Sequence, residues 1–358
     1  MDIYEYMVLS DETFKQLSHS IASVRFPLVF AILLLHGYTT CLLPGHDTYY
    51  DVLYPPALWF GETGVPAYFF ISGMLLFYSS KTYFQQLKSR FKTLFIPYML
   101  WNGLLLLAFV AVWLLGFDSK INSKSLDDFT WLDYIRVFWD RGDSNWGNTM
   151  PMMTPMWYLR NLMVMYLLSP ILGYAIRFTG PLIPIVSGLF WINAHSVAFT
   201  LQTLTMFSLG AYFPLKEINP IDFWRQYKIH ILFFFVCFGL ADNYMHIVGI
   251  GGNAALVVHR LSLVTNTFFM IWLGTYFYDR GWRFPRLSRA AFFIFCIHFP
   301  IMIAIRSIAA KHLEWSDSVH LMVYGVSVLL VTAICYGIFA LLSRYFPWFI
   351  RISTGDRA

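Results

Sequence analysis

The chain has 358 residues, 58% of them hydrophobic and only 13% charged, about half the charged fraction of an ordinary soluble domain. A mean hydropathy of +0.57 excludes water as its main solvent. The formal charge of +5 is dispersed over short connections, which leaves no footprint for nucleic-acid binding.

The first 23 residues are mixed and polar and lack the basic start, apolar core and small-residue cleavage site of a signal peptide, so the first apolar span is expected to stay as a helix. A helix crosses about 30 Å of hydrocarbon with roughly 20 apolar residues. Spans of that kind are predicted at Val24–Leu43, Trp59–Ser79, Leu94–Gly116, Met156–Phe178, Val197–Leu215, Ile229–Val248, Ala254–Tyr278, Ala290–Ala310 and His320–Ser343. A tenth, Pro181–Asn193, is short and weak. Aromatic residues reach 20%, with 13 Trp and 22 Tyr, as suits a chain with two membrane interfaces.

Lys and Arg fall in alternate connections: Lys81 to Lys92, Arg177, Lys216 to Lys228, Arg280 to Arg289, and Arg344 to Arg357. The positive-inside rule puts these in the cytoplasm and the connections around Asp47 to Asp51, His195 and His246 to Gly252 outside. Arg177 and Lys216 then share a side, so the weak tenth span is either a crossing or half of a re-entrant pair. The predicted fold is an all-α polytopic membrane protein of about ten transmembrane helices with both termini cytoplasmic. It has an N-terminal segment 1–23, a membrane domain 24–343 and a tail 344–358.

The sizeable loop is the outward segment 117–155, where Trp131, Trp139, Trp146 and several aspartates suit either a cover over a polar acceptor or a surface resting on headgroups. Cys41, Cys237, Cys296 and Cys335 lie in or beside apolar stretches without metal-ligand spacing. They read as small buried hydrophobes, and no metal is expected.

Ionisable groups inside a span are costly and therefore candidates for function. Arg25 and His36 stand eleven residues apart on the first helix, close to three turns, so they project from one face roughly 16 Å apart. A cation at the membrane surface can hold a phosphate, and an imidazole deeper in can take a proton from a hydroxyl. That fits a coenzyme A thioester threaded from the cytoplasm; an orienting arginine plus a histidine bonded to a neighbouring helix is the other reading. Glu62 and Arg160, near the outer ends of their helices, suit either a mutual ion pair or contact with an acceptor. Asp242, Arg260 and His298 are further candidates. Gly61, Gly64, Pro66 and Gly73 interrupt the second span, either to line a cavity or to let helices approach closely. The run Arg280, Arg283, Arg286 and Arg289 serves as a cytoplasmic anchor or adds to a phosphate site.

Five motifs in order carry a resemblance. They are Ser23-Val24-Arg25 with His36; Phe69-Phe70-Ile71-Ser72-Gly73; Lys88-Ser89-Arg90-Phe91-Lys92 leading to Pro97-Tyr98 and Trp101; Trp157-Tyr158-Leu159-Arg160-Asn161-Leu162; and Cys296-Ile297-His298-Phe299-Pro300. Together, from about residue 20 to 345, they resemble the membrane-bound acyltransferase 3 family. The resemblance implies His36 as catalytic base and Arg25 as its motif partner near the coenzyme. It makes Arg90 the first arginine of an R-x-x-R element that holds acyl-CoA phosphates. The second arginine is replaced by Thr93, with Lys92 and Lys88 adjacent as alternative point charges. The acidic residue expected before the FF-x-x-SG segment is also absent; Pro66 follows Gly64-Val65, and Glu62 is the nearest carboxylate.

On this reading Trp157, Arg160, Glu62 and His298 support an acceptor site, and the co-substrate is acetyl-CoA or another acyl-CoA. The acceptor is a carbohydrate or glycan precursor, the setting is the inner (plasma) membrane, and Ser72 leaves an acyl-protein intermediate open. A transporter or flippase of an anionic or sugar-linked substrate is the alternative, although no repeated halves are visible. A non-catalytic assembly subunit is a third.

Overall fold

The structure is a computed structural model that describes residues 9–39, 48–142, 149–313 and 316–356. Cys41, Asp47, Trp146, Arg357 and the predicted end of the first span at Leu43 lie outside the described residues.

All ten predicted spans are helical over most of their described residues. The first, α1 (Asp11–Thr39), starts well before Val24. The polar stretch 11–23 continues the helix because Leu17, Ser20 and Ile21 recur on one face and are buried. Helix α12 (Gly252–Asp279) lies so close there that a methyl on Gly274 would fall 2.4 Å from the Ser20 carbonyl oxygen. The second span is two helices, α2 (Thr48–Gly61) and α3 (Gly64–Phe77), broken at Glu62 and Thr63. Helix α4 (Tyr83–Arg90) runs through a π-helical turn, Phe91–Phe95, into α5 (Ile96–Leu114). After the short outer helix α6 (Trp131–Arg136) come α7 (Trp157–Thr179), α8 (Leu182–Asn193), α9 (Ala198–Leu215) and the short α10 (Pro220–Gln226). The chain ends with α11 (Lys228–Val248), α12, α13 (Pro285–His312), α14 (Asp317–Tyr345) and the surface helix α15 (Pro347–Thr354).

Eight of these helical stretches are long and apolar enough to cross a membrane. The weak tenth span, α8, rises only about 18 Å over its 12 residues. It nevertheless pairs with α9 and returns the chain to its starting end, where Lys216 Nζ donates to the Arg177 carbonyl at 3.2 Å. The other basic connections gather at the same end. Arg225 pairs with Asp279 at 2.6 Å and Arg283 meets His19. At the opposite end His195 and Asn253 are bonded at 3.0 Å. The alternation read from Lys and Arg is thus a real two-ended arrangement of the bundle.

The outward faces are apolar, as a lipid solvent requires: Phe233, Val236 and Leu240 on α11 and Val326 and Leu329 on α14 are exposed. Cys296 and Cys335 are buried as expected, but Cys237 is exposed on the thinly covered α11. A small hydrophobe is equally at home facing lipid.

The outward segment is folded rather than draped. A short hairpin, Lys120–Ile121 with Lys124–Ser125, precedes α6, and Ile121, Leu126, Val137 and Met152 form a small core with Leu106 of α5. A hydrogen bond from Lys124 and further ones from Thr130 hold the Asp133 carboxyl well below the usual carboxylate range. Arg160 pins the segment from α7. Its Nη1 donates to the Trp139 carbonyl (2.6 Å) and to Thr149 Oγ1 (2.9 Å), and Nη2 donates to the Thr149 carbonyl (3.1 Å). Hydrogen bonds to a charged group are worth ~1.5–3 kcal/mol each. Arg160→Ala is therefore expected to raise amide exchange in residues 137–142 and 149–152 by about ten- to a hundredfold while the helices keep their protection. Exchange unchanged from wild type would show that the helix ends hold the segment without it.

Candidate functional site

His36 on α1 and His298 on α13 meet inside the bundle, their ring centroids 5.2 Å apart. Their helices come from opposite ends of the sequence, and only the fold joins them. His298 is fully buried. Its Nδ1 lies 2.8 Å from the Phe295 carbonyl oxygen, so Nδ1 carries the proton and donates, leaving a lone pair on Nε2. That Nε2 has no hydrogen-bond partner among the described residues. His36 also packs edge-on against Phe299, at 5.1 Å between centroids.

A cavity of about 150 Å³ leads inward from the basic end. Arg25, Ser72, Arg90, Tyr166, Ser288 and Phe295 are among its lining. The Arg90 guanidinium lies over the Tyr166 ring at 4.6 Å, and its Nε is buried without a hydrogen-bond partner among the described residues. Among the described residues neither Arg25 nor Arg90 is paired with a carboxylate. Two such cations at the mouth of a narrow cavity suit an anion with a thin tail.

Lys88 and Lys92, expected beside Arg90, are exposed and do not line this cavity. Each is two positions from Arg90, roughly 200° around a helix, and so faces away. Thr93, in the place of the second arginine, is covered by the C-terminal segment. A methyl on Gly355 would fall 2.5 Å from Thr93 Cα, and Trp101 Nε1 donates to the Ser353 carbonyl at 3.0 Å. A long cationic side chain at Thr93 would meet that cover.

A second cavity of about 290 Å³ opens at the other end, beneath the outward segment, lined by Phe109, Lys120, Arg141, Phe299 and Ala304 among others. Along α13, Ser288, Ala291, Phe292 and Phe295 face the first cavity, and Phe299, Pro300, Ile303 and Ala304 face the second. His298 stands between the two sets.

Of the two readings of Glu62 and Arg160, the mutual ion pair does not form. Arg160 is committed to the outward segment, whereas Glu62 Oε2 lies 3.0 Å from His259 Nε2. His259 Nδ1 faces Asp242 Oδ2 at 2.9 Å, and His246 Nδ1 lies 3.3 Å from Asp242 Oδ1. Trp157 stacks on Phe199 with centroids 4.2 Å apart and planes at 12°. Sequence reasoning missed His259 and His246. The available signal was a histidine beside Arg260 and another one helical turn after Asp242, on helices joined by a short connection.

The sequence model of the acyltransferase 3 family, described as an acyltransferase domain, matches residues 19–340, nearly the whole chain. The chain belongs to that family. It is a multi-pass membrane acyltransferase. Among curated proteins the acyltransferase is similar to a succinoglycan biosynthesis protein, ExoH, of Rhizobium meliloti (strain 1021). The two are 23% identical over 333 residues, covering 82% of this chain and 79% of the relative. No solved structure matches it. For a membrane acyltransferase the paired histidines between two cavities are the natural candidate centre, since a hydroxyl nucleophile needs a base beside the acyl group it attacks.

Proposed function

We propose that the protein is a membrane O-acyltransferase that moves an acetyl or other short acyl group from acyl-CoA to a hydroxyl of a carbohydrate or glycan precursor. It works in the inner (plasma) membrane, with its basic end in the cytoplasm. The observation that carries this reading is the placement of His36 and His298 between a cavity at the basic end, whose Arg25 and Arg90 have no carboxylate partner among the described residues, and a second cavity at the other end. The polysaccharide role in the relative's name supports the carbohydrate class of the acceptor.

Acyl-CoA, when bound, supplies an acyl thioester as electrophile. Arg25 and Arg90 hold phosphate at the cytoplasmic mouth, and the narrow cavity admits the slender pantetheine arm while leaving the nucleotide outside. His36 takes the proton of the acceptor hydroxyl as its oxygen bonds to the acyl carbon; the C–S bond breaks and the thiolate recovers that proton from His36. His298, packed beside His36 with ring centroids 5.2 Å apart, orients it. The fixed tautomer of His298 makes it a positioning residue.

Purified protein in nanodiscs, given labelled acetyl-CoA and other short acyl-CoAs with glycan acceptors, tests the class: label should enter the glycan as an ester. Movement of unmodified glycan across the bilayer with no labelled ester would instead favour a transporter, which also uses cavities at both ends. Arg25→Ala and Arg90→Ala should each weaken acyl-CoA binding about ten- to a hundredfold, the worth of one charged hydrogen bond. Lys92→Ala, outside the cavity, should change it less than threefold, roughly the worth of an exposed charge. Equal losses at Lys92 and Arg90 would put the phosphates on the open surface instead.

A further inference from the structure

A third cavity, of about 510 Å³, lies at the end away from the basic connections, enclosed by α2, α8, α9, α11 and α12. It shares no lining residue with the other two. Its walls join Glu62, His259 and Arg260 to Trp191, Phe199 and Gln202.

Arg260 is 8% exposed and lies over the Trp191 ring at 5.8 Å. Its Nη2 donates to the Ala194 carbonyl at 2.7 Å, while Nη1 has no hydrogen-bond partner among the described residues. A buried guanidinium N–H without an acceptor is costly, and a ligand oxygen would remove that cost. Glu62 is held on one side only. Oε2 faces His259, and the side chain remains 37% exposed, which leaves its second oxygen able to accept from a ligand. His259 is anchored behind it by Asp242, which also receives Ser262 Oγ at 3.2 Å. Phe199, stacked on Trp157, gives a rigid aromatic wall.

Carboxylates and cations alternate here, so a phosphate would meet Glu62 and an ammonium would meet Arg260. An uncharged ring with several hydroxyls meets neither penalty. It can donate to Glu62, accept from Arg260 Nη1 and Gln202, and lay an apolar face on an aromatic ring.

We infer that this cavity is a saccharide subsite that holds an uncharged sugar unit of the acceptor other than the unit being acylated. The inference rests on the carbohydrate reading of the acceptor. The subsite adjoins the histidine pair through a close helix contact: Gly61 lies against Leu35, and these are the chain neighbours of Glu62 and His36. A single helix contact therefore separates the subsite from the histidine pair.

The test is sugar binding to the full-length protein in nanodiscs without acyl-CoA, read by saturation-transfer NMR with maltose, cellobiose and lactose. At least one disaccharide should show transfer from the wild type and equally from His36→Ala. Transfer should fall at least about fivefold in Glu62→Gln and in Arg260→Ala, the loss of one hydrogen bond in each. Glu62→Gln is isosteric and carries the result alone if Arg260→Ala fails to fold. No transfer to any of the three sugars, undiminished transfer in Glu62→Gln, or displacement of the sugar by inorganic phosphate would each overturn the inference. Because acyl-CoA is absent, a failure of the acyl-transfer reading shows in the labelled-product assay and not here.

Discussion

His36→Ala is expected to lower acyl transfer by about 10²- to 10⁴-fold, the usual contribution of a positioned general base, while leaving the fold and acyl-CoA affinity intact. The expectation rests on position. Arg25, at the basic mouth, lines the first cavity, and His36, about 16 Å further along the same helix, touches both His298 and Phe299. Removing the imidazole takes away the proton acceptor and leaves the arginines in place, so the loss should fall on kcat rather than on KM for acyl-CoA. His298→Ala should cost less, since it disturbs only the orientation of His36, and His298→Gln should recover part of the loss by filling the space beside the His36 ring. Undiminished transfer by His36→Ala would sink the mechanism. A larger loss at His298 than at His36 would exchange their roles.

How much of this site was legible in the sequence depends on whether its residues share one helix. Arg25 and His36 do, and helical periodicity alone put them on one face. The partnership of His36 with His298, 262 positions away, has no local signal, and neither does the link from Glu62 to His259. The Glu62–Arg160 ion pair, one of two readings open in the sequence, fails for the same reason. Both residues sit near the outer end of the bundle, but depth along a helix does not give the direction in which a side chain points. For Lys88 and Lys92 the direction was available, since residues two apart on a helix cannot share a face with Arg90, and sequence proximity outweighed it.

The fold was more readable than the site, because hydropathy and Lys/Arg placement act along the chain. They supplied the all-α polytopic fold and the two-ended arrangement, although among the described residues eight stretches rather than ten are long and apolar enough to cross, α8 and α9 being the two that fall short. They gave no sign that α1 begins at Asp11, because the polar residues 11–23 carry no membrane signal although their buried face packs on α12. Of the two readings of the break in the second span, close helix packing holds. Gly61 and Gly64 bring α2 and α3 onto α1, where added methyls would fall 2.6 Å from Leu35 Cβ and 2.7 Å from the Leu28 carbonyl oxygen. The unwound Glu62 between them faces the third cavity.

The glycine of the Phe69-Phe70-Ile71-Ser72-Gly73 motif leads to the largest expected effect on stability. Gly73 of α3 and Gly210 of α9 face each other's helix backbones. A methyl on Gly73 would fall 2.1 Å from the Phe207 carbonyl oxygen, and one on Gly210 would fall 2.0 Å from the Phe70 carbonyl oxygen. A backbone carbonyl cannot swing aside as a side chain can, so the two helices must separate along their length. In a membrane such close contact is itself a main source of helix association, because lipid gives no hydrophobic drive between helices. Gly210→Val is therefore expected to cost about 3 kcal/mol or more, toward the upper end for overpacking, and to lower the unfolding temperature in detergent. Gly103→Ala is the control. Its added methyl meets nothing within 4 Å in mid-helix, so the better helix propensity of alanine should leave stability unchanged or raise it by about 0.5–1 kcal/mol. Separation of α3 from α9 also moves Ser72 in the first cavity and Phe199 in the third, so Gly210→Val should lose transfer even where it stays folded. Equal unfolding temperatures for Gly210→Val and Gly103→Ala would show that the α3–α9 contact is looser than its backbone distances imply.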